Sequence, residues 1–244
     1  MRTLACVFAH PDDETFAIGG TIARYASQGV RCHVFCATNG DAGKSSGVPV
    51  SSREELGARR LVELRAAADV LGLGEIAAPG HADGALAAVD GDVLVGQIVE
   101  FLRRHRPDVV ISFGPEGAPT GHRDHRAISR AATAAFHLAG LATEYVDQMR
   151  GELQPHAAAR LYYVAWDGVE EPDGKPPRAS VPPSARIAVE AFLRAKEAAF
   201  DAHATQHVHR GAFEKLALRD AEWFALAAGA CQPRSLVEDL FDGL

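Results

Sequence analysis

Short apolar runs, each followed by a loop and then by helical spacing, constrain the fold of this chain more than any other feature. Residues 4–8 and 108–113 are largely apolar, which is typical of strands buried on both faces of a parallel sheet. Between and after such runs, the spacing of apolar residues predicts helices over residues 14–28, 53–71, 92–105 and 122–141. Because strand–helix–strand order favours parallel pairing, the loops after the strands should meet at one edge of the sheet.

The second half of the chain is less regular. Residues 161–166 are predicted to form a strand, and residues 167–184, which contain five prolines, a long loop. Apolar spacing predicts helices over residues 187–204 and 216–228. Together with the first half, this pattern predicts an α/β, Rossmann-like three-layer fold with a mostly parallel sheet covered by helices, in a single domain over residues 1–244.

Composition restricts the partners of the chain. Its 244 residues carry a net charge of −7, and Lys and Arg are scattered, which argues against a nucleic-acid-binding surface. The apolar runs are too short for a membrane span or a signal peptide, so we expect a cytoplasmic protein. The cysteines lack metal-ligand spacing and are expected to be free thiols; they are Cys6, Cys32, Cys36 and Cys231.

Two short motifs carry the candidate functional side chains. His10, Asp12 and Asp13 follow the first predicted strand, whereas His122 and His125 lie at the start of a helix after a later strand. Each motif alone has an ordinary structural interpretation, since Asp residues often cap helices and an HxxH pair often lies on a surface. Together they bring nitrogen and oxygen ligands to the carboxyl ends of two strands. This predicts a catalytic metal site there, with positions left open for water and substrate.

The sequence around these motifs resembles the PIG-L or LmbE-like family of metal-dependent N-deacetylases, which hydrolyse the N-acetyl group of N-acetylglucosamine conjugates and related amino sugars. Residues 9–14 match the family signature AHPDDE in full, directly after the first predicted strand. Residues 121–127, GHRDHRA, match the family's GHPDHRA except that Arg123 stands where the family has Pro. This departure lies between the candidate functional positions, so it concerns the local backbone or a substrate contact and not the ligand set.

Three further groups of residues extend the resemblance over most of the chain. The family's RxxEL…LG helix is matched by Arg60, Glu63, Leu64, Leu71 and Gly72. A DG pair in the family's substrate loop is matched by Asp83 and Gly84. A late K…HxSQ pattern is matched, with Thr in place of Ser, by Lys196, His203, Thr205 and Gln206.

The resemblance implies a metal site with a general base. His10, Asp13 and His125 would bind zinc (Zn2+), and Asp12 would act as the general base on the metal-bound water. Bound zinc lowers the pKa of water to about 7, so hydroxide is available at neutral pH. A His-His-carboxylate set also accepts Fe2+, Mn2+ or Co2+, which leaves the metal open.

The resemblance also implies roles around the ligands. His122, expected on the same helix face as His125, would stabilise the tetrahedral oxyanion and protonate the leaving amine, with Asp124 as its orienting partner. Arg60 and Asp83 would hydrogen-bond the hydroxyls of a small-molecule amino-sugar conjugate. Arg60 and Glu63 could equally form an exposed ion pair along their helix.

Other interpretations remain open from the sequence. A relative in the same family could act as an amidase on a sugar–thiol conjugate. The chain could also be a non-catalytic Rossmann-like binding module, but no GxGxxG follows Phe8, and binding alone would not require Asp12. Residues 44–52 and 167–184 would hold the aglycone, whose identity the sequence does not indicate. Family members often form homo-oligomers, but the apolar faces of this chain do not indicate its oligomeric state.

Three histidines near the end of the predicted helix 187–204 suggest a second site at first sight. His203, His207 and His209 would not share one helical face. We therefore expect surface or helix-capping roles for all three.

Overall fold

The computed structural model describes residues 1–45, 47–117, 119–166, 181–229 and 236–244. In chain order the helices and strands are β1 (Thr3–Phe8), α1 (Asp13–Ser27), β2 (Arg31–Cys36), α2 (Arg53–Leu71), β3 (Ile76–Ala77), α3 (Gly91–His105), β4 (Val109–Phe113), α4 (Arg123–Leu138), β5 (Arg160–Ala165), β6 (Ala185–Ala188), α5 (Leu193–Ala202), α6 (Arg210–Leu216) and β7 (Ala221–Gly229). Short 3-10 helices lie at Leu86–Ala88, Val146–Arg150, Glu190–Phe192 and Ala204–His209.

Within the described residues, seven strands form one sheet in the order β3-β2-β1-β4-β5-β7-β6. The strands from β3 to β5 pair in parallel, whereas β7 runs antiparallel to both of its neighbours. All six residues of the central strand β1 are buried, as expected for a strand covered on both faces. The predicted Rossmann-like α/β fold, with a mostly parallel sheet flanked by helices, is therefore confirmed.

Local capping signals set the ends of α2, which follows a loop after β2. The Oγ atom of Ser52 accepts a hydrogen bond of 3.1 Å from the N–H of Glu55 at the start of the helix. Gly72 ends the helix with φ 73, a left-handed conformation that glycine adopts without steric cost. The helix predicted over residues 53–71 is confirmed at both ends.

Two predictions for the last part of the chain are wrong. The helix predicted over residues 216–228 is absent, because α6 ends at Leu216 and β7 begins at Ala221. Alanine and leucine favour a helix there, but β7 fills the space between β5 and β6, and this pairing satisfies its backbone. The helix predicted over residues 187–204 begins only at Leu193, since β6 extends to Ala188 and Glu190–Phe192 form a 3-10 helix.

A carboxylate from β7 stabilises a kink in α1. Ile18 departs from helical geometry with φ −142 and ψ 21. The N–H groups of Gly20 and Thr21 donate to Glu222 over 3.0 Å and 2.7 Å. The Nζ atom of Lys196 lies 2.6 Å from Glu222 Oε1, so this buried charge is paired. The contact ties β7 and α5 to the helix that follows the predicted metal motif.

Cys6, Cys32 and Cys36 are buried free thiols, as expected for small apolar side chains. Burial raises the pKa of Cys32 to about 12, so the thiol stays protonated at neutral pH. Cys231 and residues 167–180 of the predicted long loop lie outside the described residues. Among the helices of the described ranges, none has the length and apolar character needed to cross a bilayer.

Candidate active site

The turn between β1 and α1 presents the first group of candidate residues. His10, Asp12 and Asp13 lie directly after β1, as the sequence predicts. The carboxylate of Asp13 accepts hydrogen bonds from the backbone N–H groups of Ala9, over 3.2 Å, and His10, over 2.8 Å. These bonds hold the Asp13 carboxylate against the turn.

Asp13 connects the two motifs. Its Oδ2 atom lies 3.3 Å from Nδ1 of His10, and its Oδ1 atom lies 3.2 Å from Nε2 of His125. The ring centroids of His10, His122 and His125 are 4.8 to 5.3 Å apart. The stretches that follow β1 and β4 therefore converge at one edge of the sheet.

The electrostatics of this contact keep Asp13 ionised. Burial raises the pKa of the Asp13 carboxyl, but the rings of His125 and His10 outweigh burial and hold the pKa well below its usual range. Burial opposes protonation of His10, yet Asp13 and the other nearby carboxylates raise the pKa of His10. The site thus offers a buried, ionised carboxylate between two histidine rings, which favours binding of a cation.

His122 precedes α4 as its N-cap residue and does not lie within the helix beside His125. The Nδ1 atom of His122 accepts a hydrogen bond of 3.2 Å from the N–H of Asp124, so the neutral ring carries its proton on Nε2. Burial, followed by the neighbouring rings of His10 and His125, lowers the pKa of His122 and favours this neutral form. His122 is therefore suited to donate a hydrogen bond from Nε2.

Asp12 has a different environment from its neighbour Asp13. Its φ of 101 is left-handed, a conformation that L residues other than glycine rarely adopt. Its Oδ1 atom lies 3.3 Å from Nη2 of Arg60. Burial raises the pKa of Asp12 to about 6, and the Arg60 charge only partly opposes that shift. The carboxylates of Asp12 and Asp13 therefore contact different groups, which allows one to bind a metal and the other to act as a base.

Arg60 is buried, with 3% of its surface exposed. Its Nη1 atom donates to the carbonyl oxygen of Gly40 over 2.8 Å, and its Nη2 atom donates to the carbonyl oxygen of Pro11. Glu63 is also buried and accepts hydrogen bonds from the N–H and the hydroxyl of Thr205. The interpretation of Arg60 and Glu63 as an exposed ion pair is therefore wrong.

Asp83 faces the outer nitrogen of His10. Its Oδ1 atom lies 3.1 Å from His10 Nε2, and its Oδ2 atom accepts a hydrogen bond of 3.2 Å from the N–H of Ala42. The N–H of Asp83 donates to Asp41 over 2.9 Å, which fixes the loop that carries it. Asp83 therefore lies in contact with the histidine cluster, and both of its carboxylate oxygens have protein partners.

Asp124 is fully buried in the first turn of α4. Its carboxylate accepts hydrogen bonds from the N–H groups of Gly84 and Leu86 over 2.7 Å and 3.2 Å, and Oδ2 lies 3.5 Å from His10 Nε2. Only its backbone N–H reaches the ring of His122. The carboxylate of Asp124 therefore orients His10 and the loop after Asp83, which differs from its predicted partnership with His122.

Comparison with known proteins extends these observations to the whole sequence. The family model for PIG-L, described as GlcNAc-PI de-N-acetylase, matches residues 5–136. The chain belongs to the PIG-L family. The match includes both motifs that converge at the carboxyl ends of β1 and β4.

Relatives align with this PIG-L chain over nearly its full length. The 1D-myo-inositol 2-acetamido-2-deoxy-alpha-D-glucopyranoside deacetylase of Rhodococcus jostii is 33% identical over an alignment of 293 positions, gaps included, which covers 100% of this chain and 98% of the relative. The conserved protein TT1542 from Thermus thermophilus is 31% identical, with a TM-score of 0.73 and coverage of 95% and 97%. The N,N'-diacetylchitobiose deacetylase from Pyrococcus horikoshii, 21% identical, shares the fold with a TM-score of 0.77 over 99% of this chain and 88% of that one.

The residues of this PIG-L site fit a divalent metal. Nδ1 of His10 and Nε2 of His125 both face the ionised carboxylate of Asp13, at 3.3 Å and 3.2 Å, so two imidazole nitrogens lie beside one carboxylate. Donor atoms of His10, His122 and His125 lie within 4.8 Å of one another, and so do those of His10, Asp83 and Asp124. Imidazole and carboxylate donors at this density suit zinc and the other first-row divalent ions.

A buried contact beside the PIG-L site is not indicated by sequence spacing. His203 is fully buried, and its Nε2 atom lies 2.9 Å from Oε1 of Glu14. His203 is the C-cap residue of α5, as the capping alternative predicts, but its burial makes the predicted surface role wrong. His207 and His209 are exposed. The signal that could have found the pair is that Glu14 closes the AHPDDE signature and His203 opens the late HxSQ pattern.

Proposed function

We propose that this PIG-L chain is a metal-dependent hydrolase that removes the N-acetyl group from an N-acetylglucosamine conjugate. The observation that carries the proposal is the convergence of His10, Asp13 and His125 beside Asp12 and His122 at one sheet edge. The full-length alignment with the Rhodococcus jostii deacetylase supports an N-acetylglucosaminyl inositol as the first substrate to test.

We assign His10, Asp13 and His125 as the metal ligands, with Zn2+ as the first candidate. The chemistry that a divalent cation supplies when bound here is acidification of water and polarisation of an amide carbonyl. Asp13 contributes an ionised oxygen ligand between the two rings. Asp83 and Asp124 face the outer nitrogen of His10 and orient its ring. Arg60 and Asp83 accordingly hold the site together, and we do not assign them to the sugar.

Asp12 is the general base of the proposed reaction. Its carboxylate lies beside Asp13 without contacting the histidine rings, so it is free to take a proton from the attacking water. Its pKa of about 6 leaves it mostly ionised at neutral pH and makes it a stronger base than a solvated aspartate. The oxygen of that water bonds to the carbonyl carbon as its proton moves to Asp12.

His122 stabilises the oxyanion that forms on the carbonyl oxygen. Its Nε2–H is available as a donor because Nδ1 accepts from the N–H of Asp124. The carbon–nitrogen bond then breaks to give acetate and a free amine. The proton that Asp12 accepted passes to the leaving nitrogen and restores the carboxylate. We therefore assign the proton transfer to Asp12 and the hydrogen bond to His122.

The test is release of amine from a panel of substrates by metal-loaded protein. The panel contains 1D-myo-inositol 2-acetamido-2-deoxy-α-D-glucopyranoside, other N-acetylglucosamine conjugates and a sugar–thiol amide. We expect amine and acetate in equal amounts from at least one acetamido sugar, and none with Asp12→Ala. Cleavage of the sugar–thiol amide alone would favour the amidase alternative. A cytoplasmic location, a single domain and a homo-oligomer stay predictions.

A further inference from the structure

The peptide group between Pro11 and Asp12 is held at both of its polar ends. The carbonyl of Pro11 accepts from Arg60 Nη2, and the N–H of Asp12 donates to Oε2 of Glu14 over 3.0 Å. Rotation of this peptide plane would change the φ of Asp12, whose value of 101 is unfavourable for an aspartate. The two hydrogen bonds therefore fix the direction in which the Asp12 side chain leaves the backbone.

Glu14 is itself held by two side-chain donors. Its Oε1 atom accepts from the hydroxyl of Thr15 over 2.6 Å and from Nε2 of His203 over 2.9 Å. Glu14 is 1% exposed and His203 is fully buried, so water does not compete for these bonds. A buried carboxylate depends on such partners for its position, because it has no solvent to bind instead. His203 thereby fixes the Glu14 carboxylate through Oε1, and Oε2 of the same carboxylate accepts the N–H of Asp12.

The segment that carries His203 also contacts α2, the helix whose Arg60 binds the other end of the Pro11–Asp12 peptide. His203 follows α5, where its N–H donates to Phe200 and its carbonyl accepts from Gln206. Two residues further on, Thr205 donates from its N–H and its hydroxyl to Glu63 of α2. The helix α2 also carries Arg60, which holds the Pro11 carbonyl. One C-terminal segment thus contacts both elements that fix the Pro11–Asp12 peptide.

We propose that His203 is a positioning residue for Asp12, acting through Glu14. The hydrogen bond from Nε2 of His203 fixes the Glu14 carboxylate, which fixes the left-handed turn that aims the Asp12 side chain. The catalytic consequence rests on the proposed function of Asp12 as the base. The positional consequence does not, since it concerns only the backbone of the turn.

Two amide variants separate this role from a general contribution to folding. In His203→Gln the side-chain N–H reaches the position of Nε2, whereas in His203→Asn it reaches only the position of Nδ1. Both variants keep a polar side chain of similar size in the cavity. We expect His203→Asn to lower kcat by about 10²-fold, as for a small displacement of a catalytic group, with KM and metal content unchanged. We expect His203→Gln to regain most of the wild-type kcat.

His207→Gln serves as the matched control, because His207 is exposed on the 3-10 helix Ala204–His209, which directly follows His203. It should leave kcat, KM and metal content at wild-type values. Equal kcat in His203→Asn and His203→Gln would overturn the proposal. Loss of metal in parallel with loss of kcat would also overturn it, because His203 would then act through the ligand Asp13.

A second measurement needs no substrate. Amide hydrogen exchange in ¹⁵N-labelled, metal-loaded protein reports on the N–H of Asp12, with the N–H of Cys6 in β1 as the reference for global opening. His203→Asn should speed exchange at Asp12 relative to Cys6, and His203→Gln should not. An unchanged ratio in His203→Asn would overturn the proposal. A wild-type protein that deacetylates no amino sugar would contradict the proposed function, and the exchange ratio would still decide the role of His203.

Discussion

Nε2 of His10 lies 3.1 Å from Oδ1 of Asp83, on the opposite side of the ring from Nδ1, which faces Asp13. A carboxylate on the outer nitrogen of a metal-binding histidine sets the orientation of the ring and the basicity of the ligand nitrogen. We expect Asp83→Asn to weaken metal affinity about 10- to 100-fold, measured by competition with a chelating dye. Asp92→Asn, an exposed aspartate of α3, is the control. Unchanged affinity in Asp83→Asn would assign Asp83 to another function.

Asp12→Ala tests the general base. Removing the proton acceptor should lower kcat by about 10²- to 10⁴-fold, while the metal stays bound because Asp12 contacts Arg60 and not the histidine rings. Metal analysis of the purified variant and steady-state assays with the same substrate provide the measurement. Turnover near the wild-type value would reassign the base to another group.

His125→Ala and His122→Ala should separate ligand from donor. Of these two histidines, His125 contacts Asp13 and His122 does not, so removal of His125 should abolish stoichiometric metal binding. His122→Ala should keep the metal and lower kcat by about 10²- to 10³-fold, the usual effect of losing one oxyanion donor. Equal metal loss in both variants would mean that His122 is a ligand, as its closeness to His10 and His125 also permits.

Metal removal tests the dependence of the reaction on a cation. Dialysis against a strong chelator should abolish amide hydrolysis, and addition of Zn2+ should restore it. Parallel additions of Fe2+, Mn2+ and Co2+ then rank the metals, since the donor set accepts all of them. Activity that survives exhaustive removal, verified by elemental analysis, would exclude the metal-dependent mechanism.

The ligand residues could be predicted from the sequence because their positions depend on local patterns. His10 and Asp13 follow an apolar run that must be a buried strand, and His125 follows another. Parallel pairing then brings the ends of β1 and β4 to one edge without further information. The residues whose positions are set by the ends of β1 and β4 were therefore predictable from the sequence.

Contacts between distant segments could not be predicted in this way. The orientation of Arg60 depends on which face of α2 turns inward. The apolar pattern does not reveal that Arg60 donates hydrogen bonds to the carbonyl groups of Pro11 and Gly40 on that face. Glu14 and His203 are 189 positions apart, so no local spacing relates them. Residues that form β7 have helical propensity, but pairing with β5 and β6 outweighs it.

The stacked pair His33 and His105 predicts how stability depends on pH. Their ring centroids are 4.1 Å apart, and Nδ1 of His33 accepts a hydrogen bond of 3.0 Å from the N–H of Glu75, which requires a neutral ring. Burial, followed by His105 and Arg31, lowers the pKa of His33 to about 4. In the unfolded chain the same ring titrates near a pKa of about 6.5.

The sign of the effect follows from these two values. Above a pH of about 6.5 the His33 ring is neutral in both states, so it imposes no penalty on folding. Between that pH and 4 the unfolded chain binds a proton that the folded protein does not, so the free energy of unfolding falls as the pH falls. For this half-buried ring, discounted for solvent screening, we expect a loss of about 1 kcal/mol between pH 7 and pH 5. Urea unfolding across this range should show a shallower pH dependence in His33→Asn, whose Oδ1 reaches the position of Nδ1 and keeps an acceptor for Glu75 but cannot be protonated. His137→Asn, at an exposed histidine of α4, should keep the wild-type dependence, and equal slopes in all three proteins would rule out His33 as the titrating group.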